Sequence, residues 1–120
     1  MINTVFQQHR RIILDQMMDH SILVLFSNPK EDVKYDVDRN YYYVSGNFEY
    51  ENRVVLYKNG TDIKEMMFIH PYDEFKAKWV GAPLSKEAIY EQSLISDIYY
   101  LEEFDSIVNP LLKNSTKLYV

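Results

Sequence analysis

The segment NRVVLYKNGTDIKEMMFI, residues 52–69, is the part of the sequence that decides the predicted fold. It contains two continuous apolar runs of strand length, residues 54–57 and 66–69, with Asn59-Gly60 between them. Asn-Gly accepts positive φ at both central positions of a tight turn, which a two-residue hairpin loop requires. We therefore predict an antiparallel hairpin in which residues 52–58 pair with residues 62–69.

A third apolar run, ILVLF at residues 22–26, also lacks polar alternation. Strands that are apolar on both faces belong in a sheet that is covered on both sides, usually by helices. Residues 117–120 have strand character as well, and a strand at the very end of the chain suggests a fragment of a longer protein. These runs predict an α/β fold, a mixed β-sheet flanked by helices on both faces.

The first predicted helix covers residues 4–18, where apolar residues recur close to helical spacing. Thr4 and Gln7 resemble a capping box, in which a hydroxyl and an amide three residues later satisfy the first free amides of a helix. The pattern ends at Asp19-His20-Ser21.

Two further helices are predicted in the C-terminal third of the chain. Ser85 is the expected cap of a short helix that runs to about Gln92. Apolar residues between 101 and 112 predict another helix, and Pro110 is expected to break or kink it because proline lacks an amide and crowds the preceding turn.

The remaining segments are predicted from their turn residues and β-forming residues. Residues 41–44, Tyr-Tyr-Tyr-Val, predict a strand that stops at residues 45–47, Ser-Gly-Asn. Residues 28–39 and residues 70–84 have few aliphatic side chains and contain prolines, so both are predicted to be loops.

Composition narrows the class of function. The chain has 120 residues, which suits one domain, and its formal net charge of -5 disfavours a nucleic-acid partner because such proteins need a concentrated basic face. Cysteine is absent, which excludes disulfides and thiolate metal sites and fits a cytoplasmic location. No apolar run reaches the ~20 residues of a membrane helix, and no leader opens the chain, so we expect neither membrane insertion nor a signal peptide.

The sequence contains no recognisable catalytic set, and only three features invite a functional interpretation. His70 follows a predicted strand, although a partly exposed loop histidine is the simpler interpretation. Asp36 and Asp38 would share one side of an extended segment and could hold a hard cation, or they belong to a solvated acidic loop. Trp79, the single tryptophan, either covers the core or offers a flat apolar wall to a ligand or partner.

Several segments in the same order resemble the N-terminal domain of aminopeptidase P, in the creatinase/prolidase or pita-bread superfamily. Residues 9–14 resemble its arginine-rich first helix, and residues 38–46 resemble its Phe-Tyr-Tyr-Leu-Thr-Gly signature. Residues 78–81, Lys-Trp-Val-Gly, are similar to its Trp-x-Gly loop. Asn47 departs from the pattern, because an apolar residue usually follows the glycine, and the segment before the aromatic signature is shorter here.

This resemblance implies a domain of residues 1–120 without catalytic or metal-binding residues, from a bacterial enzyme that removes an N-terminal residue before proline. The catalytic residues and two divalent metals, usually manganese, belong to a C-terminal domain that this chain lacks. The implied partners are that catalytic domain, proline-containing peptides and further copies of the same subunit. By the same resemblance, Trp79 lies at the substrate entrance, and Asp32 matches an acidic residue near it.

Other members of the superfamily leave alternatives open. The parent could be an Xaa-Pro dipeptidase, a protein that has lost catalysis and binds other proteins, or a creatinase-type hydrolase of a small amide. The Trp79-x-Gly81 loop favours aminopeptidase P, and the metal ligands downstream of residue 120 would separate an enzyme from a binding module.

Overall fold

The computed structural model describes residues 2–27, 38–47, 49, 51–70 and 85–119. Within these ranges five strands form one mixed sheet in the order β4-β3-β2-β1-β5, in which β1 and β5 as well as β3 and β4 run parallel. The elements in chain order are α1 Ile2–Gln16, β1 Ser21–Phe26, α2 Arg39–Ser45, β2 Arg53–Asn59, β3 Asp62–Ile69, α3 Lys86–Ser93, β4 Asp97–Tyr100, a 3₁₀ turn Leu101–Glu103, α4 Phe104–Lys113 and β5 Lys117–Tyr119.

The predicted hairpin is confirmed, since β2 and β3 pair antiparallel from Arg53 opposite Phe68 to Asn59 opposite Asp62. The loop residues are Gly60 and Thr61, one position later than predicted. Gly60 has a φ of 62°, whereas Asn59 and Thr61 keep negative φ. The turn therefore needs glycine at its first central position only, which is the requirement of a type II′ loop.

Both faces of the sheet are buried, as the uninterrupted apolar runs predicted. Because side chains alternate along a strand, Val54 and Leu56 face α1 while Val55 and Tyr57 face α4. Full burial of each such side chain contributes roughly 1.5–3 kcal/mol, so the two faces together supply most of the stability of the sheet. We call them the α1 face and the α4 face.

The strand predicted at residues 41–44 is wrong, because these residues form α2. The carboxylate of Asp38 accepts a hydrogen bond from the amide of Tyr41 and caps the helix, and Gly46 ends it with a φ of 70°. Tyr41 and Val44 are buried at helical spacing. The β propensity of three tyrosines is therefore overridden by two capping residues and by packing.

The predicted first helix is confirmed, but its predicted capping box is wrong. Helix α1 begins at Ile2, which places Thr4 inside the first turn instead of at the cap. Its buried stripe consists of Phe6, Arg10 and Leu14, and Met17, directly after the helix, is buried as well. Phe6 lies against Gly46, where an added Cβ would be 2.5 Å from the ring.

The C-terminal third contains one confirmed cap, one missed strand and one wrong expectation. The hydroxyl of Ser85 accepts the amide of Ala88 and caps α3, as predicted. Strand β4 was not predicted, since only Ile98 of its four residues is buried. Pro110 does not break α4, which continues to Lys113; it lies on the exposed side, where water can bond the carbonyl that loses its partner.

The C-terminal strand was predicted correctly, as β5 pairs parallel to β1. The loops predicted at residues 28–39 and 70–84 lie mostly outside the described residues. Their described ends differ from the prediction at one position only, because Arg39 already belongs to α2.

Candidate functional site

Three polar residues lie at one edge of the sheet, where β1 and β3 end and β2 begins. Ser27 follows β1, Asn52 precedes β2 and His70 follows β3. We call this group the Asn52 edge. The segment that contains Asp32 starts directly after Ser27, and the segment that contains Trp79 starts directly after His70.

Asn52 forms hydrogen bonds with both Ser27 and His70. Its backbone amide donates to the Ser27 hydroxyl at 2.8 Å, and its carbonyl accepts the Ser27 amide at 2.9 Å. Its side-chain Oδ1 accepts the backbone amide of His70 at 3.1 Å. Since Asn52 is buried, each of these bonds satisfies a group that water does not reach, and leaving one unmade would cost about 1–3 kcal/mol.

The contacts of Asn52 also determine the tautomer of His70. The backbone amide of His70 can only donate, so the atom of Asn52 that it meets is the oxygen. That oxygen lies 2.9 Å from Nδ1 of the His70 ring, so Nδ1 carries the hydrogen. In the neutral ring Nε2 therefore presents its lone pair, and it can accept a hydrogen bond from a ligand.

A buried amide network extends from Asn52 to helix α2. The Oδ1 atom of Asn47 accepts hydrogen bonds from the Tyr41 hydroxyl at 2.6 Å and from Nδ2 of Asn52 at 3.2 Å. Burial of the phenol raises the pKa of Tyr41 well above its ordinary value. Asn47, which departs from the family signature, is thus the acceptor that satisfies two buried donors.

Two cationic side chains lie over aromatic rings near the Asn52 edge, one on each face of the sheet. The Arg53 guanidinium lies 4.4 Å from the ring centre of Phe104 and 5.1 Å from that of Phe26. On the α1 face the Lys86 ammonium lies 4.3 Å from the ring centre of Tyr100. The two cations are suited to binding negatively charged groups of a ligand, whereas the imidazole acceptor is suited to binding a donor such as an N–H or O–H group.

The residues predicted from the sequence have different outcomes. Trp79, Asp32 and Asp36 lie outside the described residues, so their predicted roles remain predictions. Asp38 caps α2 through Oδ1, 3.0 Å from the amide of Tyr41, which accounts for this carboxylate without a cation. His70 is a partly exposed residue outside the strands, as the simpler interpretation expected, and its ring is also bound to Asn52.

Sequence reasoning missed Ser27, Asn52 and Arg53 as site residues and treated Asn47 only as a departure. One signal was present for Asn52, because it precedes the buried strand with the same parity as Val54 and Leu56 and so points inward. A polar residue at an inward position requires a partner.

Within residues 2–27, 38–47, 49, 51–70 and 85–119, no three side chains of His, Asp or Glu come close enough together to hold a metal ion. No helix of the described part combines the length and the apolar character that crossing a bilayer requires.

Comparison with known proteins agrees with the resemblance seen in the sequence. The family profile of the aminopeptidase P N-terminal domain matches residues 6–119. A Haemophilus influenzae Xaa-Pro aminopeptidase is 30% identical in an alignment 120 residues long, which covers 95% of this chain and 28% of that protein. The chain thus spans under a third of the length of this relative.

Solved structures share the fold. A structure from Bacillus anthracis assigned to aminopeptidase P has a TM-score of 0.91 and 30% identity, and the match covers 99% of this chain and 30% of that one. Proline aminopeptidase P II from Yersinia pestis has a TM-score of 0.83 at 21% identity, covering 100% of this chain and 29% of that one. By its family profile and its fold, the chain belongs to the aminopeptidase P family as an N-terminal domain.

Proposed function

We propose that the chain is the non-catalytic N-terminal domain of a bacterial Xaa-Pro aminopeptidase, which releases an N-terminal residue that precedes proline. In this proposal the chain shapes the substrate entrance and contacts neighbouring subunits. Two divalent cations, with manganese expected, are held by the remainder of the enzyme. Family membership supports the reaction class, as does the Escherichia coli aminopeptidase P of the same fold that was solved with the inhibitor Pro-Leu.

The observation that carries the entrance role is the Asn52 edge. Asn52 fixes Ser27 and His70, the residues from which the segments with Asp32 and Trp79 begin. The far ends of both segments are also fixed, because Asp38 caps α2 and Ser85 caps α3. Connecting segments whose two ends are held by rigid elements are where binding residues concentrate.

The two predicted entrance residues have complementary chemistry. An indole offers a flat apolar wall that limits the length or shape of a peptide in a pocket. A carboxylate can bind the charged amine of a peptide through a charge-assisted hydrogen bond. We assign the first role to Trp79 and the second to Asp32.

The test is kinetic and uses the full-length parent protein. Release of the first residue from Xaa-Pro peptides, measured with and without manganese, checks the reaction class. Trp79→Ala is expected to lower kcat/KM by about tenfold, equivalent to about 1.4 kcal/mol, without changing stability. Trp79→Phe keeps a flat ring and is expected to recover most of the loss.

Tyr90→Ala is the matched control, because Tyr90 is an exposed aromatic residue on α3. Normal stability together with unchanged kinetics for Trp79→Ala would refute the wall assignment. Cleavage of dipeptides alone would make the parent a dipeptidase. A full-length protein that releases no residue with any metal would leave the interaction-module alternative.

A further inference from the structure

Four side chains form a row across the sheet on the α4 face, one strand position inside the Asn52 edge. The strand register places Phe26 of β1, Arg53 of β2, Phe68 of β3 and Tyr99 of β4 side by side. Phe104, the first residue of α4, packs edge to face on Phe68 with 4.9 Å between ring centres. Arg53 is the one charged member of this aromatic row.

The two neighbouring rings hold the guanidinium of Arg53 in place. It lies over Phe104 and Phe26, and Phe104 is itself held by Phe68. A cation over a ring face is attracted by the π electrons and uses no hydrogen-bond acceptor there, so the N–H groups of the guanidinium can still donate to a ligand. Phe26 is 46% exposed and Arg53 is half-buried, so this edge of the guanidinium remains accessible to a ligand.

Among the described residues, none offers an acceptor to the side-chain donors of Arg53. No described carboxylate lies within 4 Å of its nitrogens, and no described group accepts a hydrogen bond from its side chain. Arg10 and Lys64 differ in this respect, since Arg10 pairs with Glu65 at 3.0 Å and Lys64 pairs with Asp62 at 3.7 Å. Arg53 therefore keeps side-chain donors that no described residue uses.

We propose that Arg53, held between Phe26 and Phe104, binds the carboxylate of a peptide. A carboxylate is planar and matches the guanidinium fork with two parallel hydrogen bonds, and the flanking rings offer apolar surface to the residue that carries it. Glu103 and Asp105 at the start of α4 add negative charge nearby, which favours a singly charged carboxylate over a phosphate dianion.

The position of the site beside the Asn52 edge identifies the peptide. The row lies next to the ends of β1 and β3, after which the segments with the two predicted entrance residues begin. This assignment rests on the proposed function: the ligand is the C-terminal carboxylate of the substrate. Arg53 is then a specificity residue for free-acid peptides, at a distance from the bond that is cleaved.

The experiment compares each Xaa-Pro peptide as the free acid and as the C-terminal amide, in a series from three to six residues, on the full-length protein. We expect kcat/KM to favour the acid by about fivefold at the length that reaches Arg53, a typical size for a partly exposed ion pair. Arg53→Gln is expected to abolish the preference and Arg53→Lys to retain only part of it. A folding defect lowers the rates of acid and amide equally, so their ratio reports binding alone.

Lys64→Gln is the control, since it removes an exposed cation from the same face. Equal acid-to-amide ratios at every length in the unmodified enzyme, or a preference that persists in Arg53→Gln, would overturn the proposal. An amidated peptide with one internal Glu that performs as well as the acid would overturn the assignment to the C terminus and support a site for side-chain carboxylates.

A protein that releases no residue would defeat the proposed function but not this test. The same acid and amide peptides can then be titrated against it while the Nε–H signal of Arg53 is followed by NMR, with Arg53→Lys for assignment. A larger shift with the acid supports the site, and equal shifts contradict it.

Discussion

Arg10 and Arg53 lie on opposite faces of the same sheet and have opposite environments. Arg10 on the α1 face has none of its surface exposed; Nε donates to Glu65 at 3.0 Å and Nη1 to the Val44 carbonyl at 2.8 Å. Burial lowers the pKa of Arg10, although Glu65 acts in the opposite direction. Arg53 on the α4 face is half-buried, stacks on two rings and meets no described acceptor.

The difference separates a structural arginine from one available to a ligand. The hydrogen bonds of Arg10 join α1 to the end of the neighbouring helix α2 and to strand β3 of the sheet. Among the fully buried side-chain nitrogen and oxygen atoms of the described residues, Nη2 of Arg10 is the only one without a hydrogen-bond partner. Arg53 packs against the rings of Phe26 and Phe104, but its side chain donates no hydrogen bond to a described residue. The α1 face holds the buried polar network as well, whereas the α4 face is aliphatic and aromatic around Arg53.

The largest expected effect comes from removing each arginine in turn. Arg10→Met is expected to lower the free energy of unfolding by about 3 kcal/mol, because it leaves the Glu65 carboxylate and the Val44 carbonyl without their donor. Arg53→Met keeps the apolar contacts and is expected to cost at most about 1 kcal/mol. Urea unfolding with an unchanged m-value measures both.

A double variant sharpens this result. Arg10→Met with Glu65→Met removes both charges, so it is expected to be more stable than Arg10→Met alone. Equal losses for Arg10→Met and Arg53→Met would remove the distinction between the two faces.

The next effect concerns the buried phenol on the α1 face. The pKa of Tyr41 is raised, so the folded state keeps its proton at alkaline pH while the unfolded chain loses it near pH ~10. Tyr41 therefore contributes stability that is fully present below pH ~10 and is lost above it, by up to about 1.4 kcal/mol per pH unit.

Tyr41→Phe removes this pH-dependent contribution and is expected to flatten the decline of the urea midpoint between pH ~9.5 and pH ~11, the range around the ordinary tyrosine pKa. Tyr43→Phe, which removes an exposed hydroxyl, is the control and is expected to keep the wild-type decline. Parallel curves for wild type and Tyr41→Phe would contradict the buried-phenol argument.

The smallest expected change in stability comes from substitutions at the helix N-termini, at α2 on the α1 face and at α4 on the α4 face. Asp38 caps α2 on the α1 face, so Asp38→Ala is expected to lower stability by about 1 kcal/mol, and Asp38→Asn by only a few tenths because the amide oxygen still accepts. Asp105→Ala in the first turn of α4 is the matched control, since α4 has no side-chain cap. If Asp38→Asn were as destabilised as Asp38→Ala, the charge of Asp38 would matter more than its capping bond.

Local patterns were sufficient where the signal lies within one segment. The hairpin, the three buried strands and the Ser85 cap depend on contacts between residues close in sequence, and all were predicted. The prediction failed at α2 because Tyr-Tyr-Tyr-Val has strand propensity, while the deciding features were the Asp38 cap and the approach of Phe6 to Gly46.

The candidate site was predictable only in part. The Trp79 and Asp32 assignments came from family resemblance, and both remain predictions. The Asn52 edge could not be read from the sequence, because Asn52 lies 25 residues from Ser27 and 18 from His70 and meets them only after β1, β2 and β3 have paired.

The sequence by itself determined that the chain forms a sheet covered on both faces, because uninterrupted apolar runs leave no side of a strand that water could cover. Tertiary contacts, in contrast, determine that Arg10 is buried and that Arg53 is available to a ligand. Both side chains carry the same charge, and the difference arises from whether a carboxylate or an aromatic ring from a distant element lies beside them.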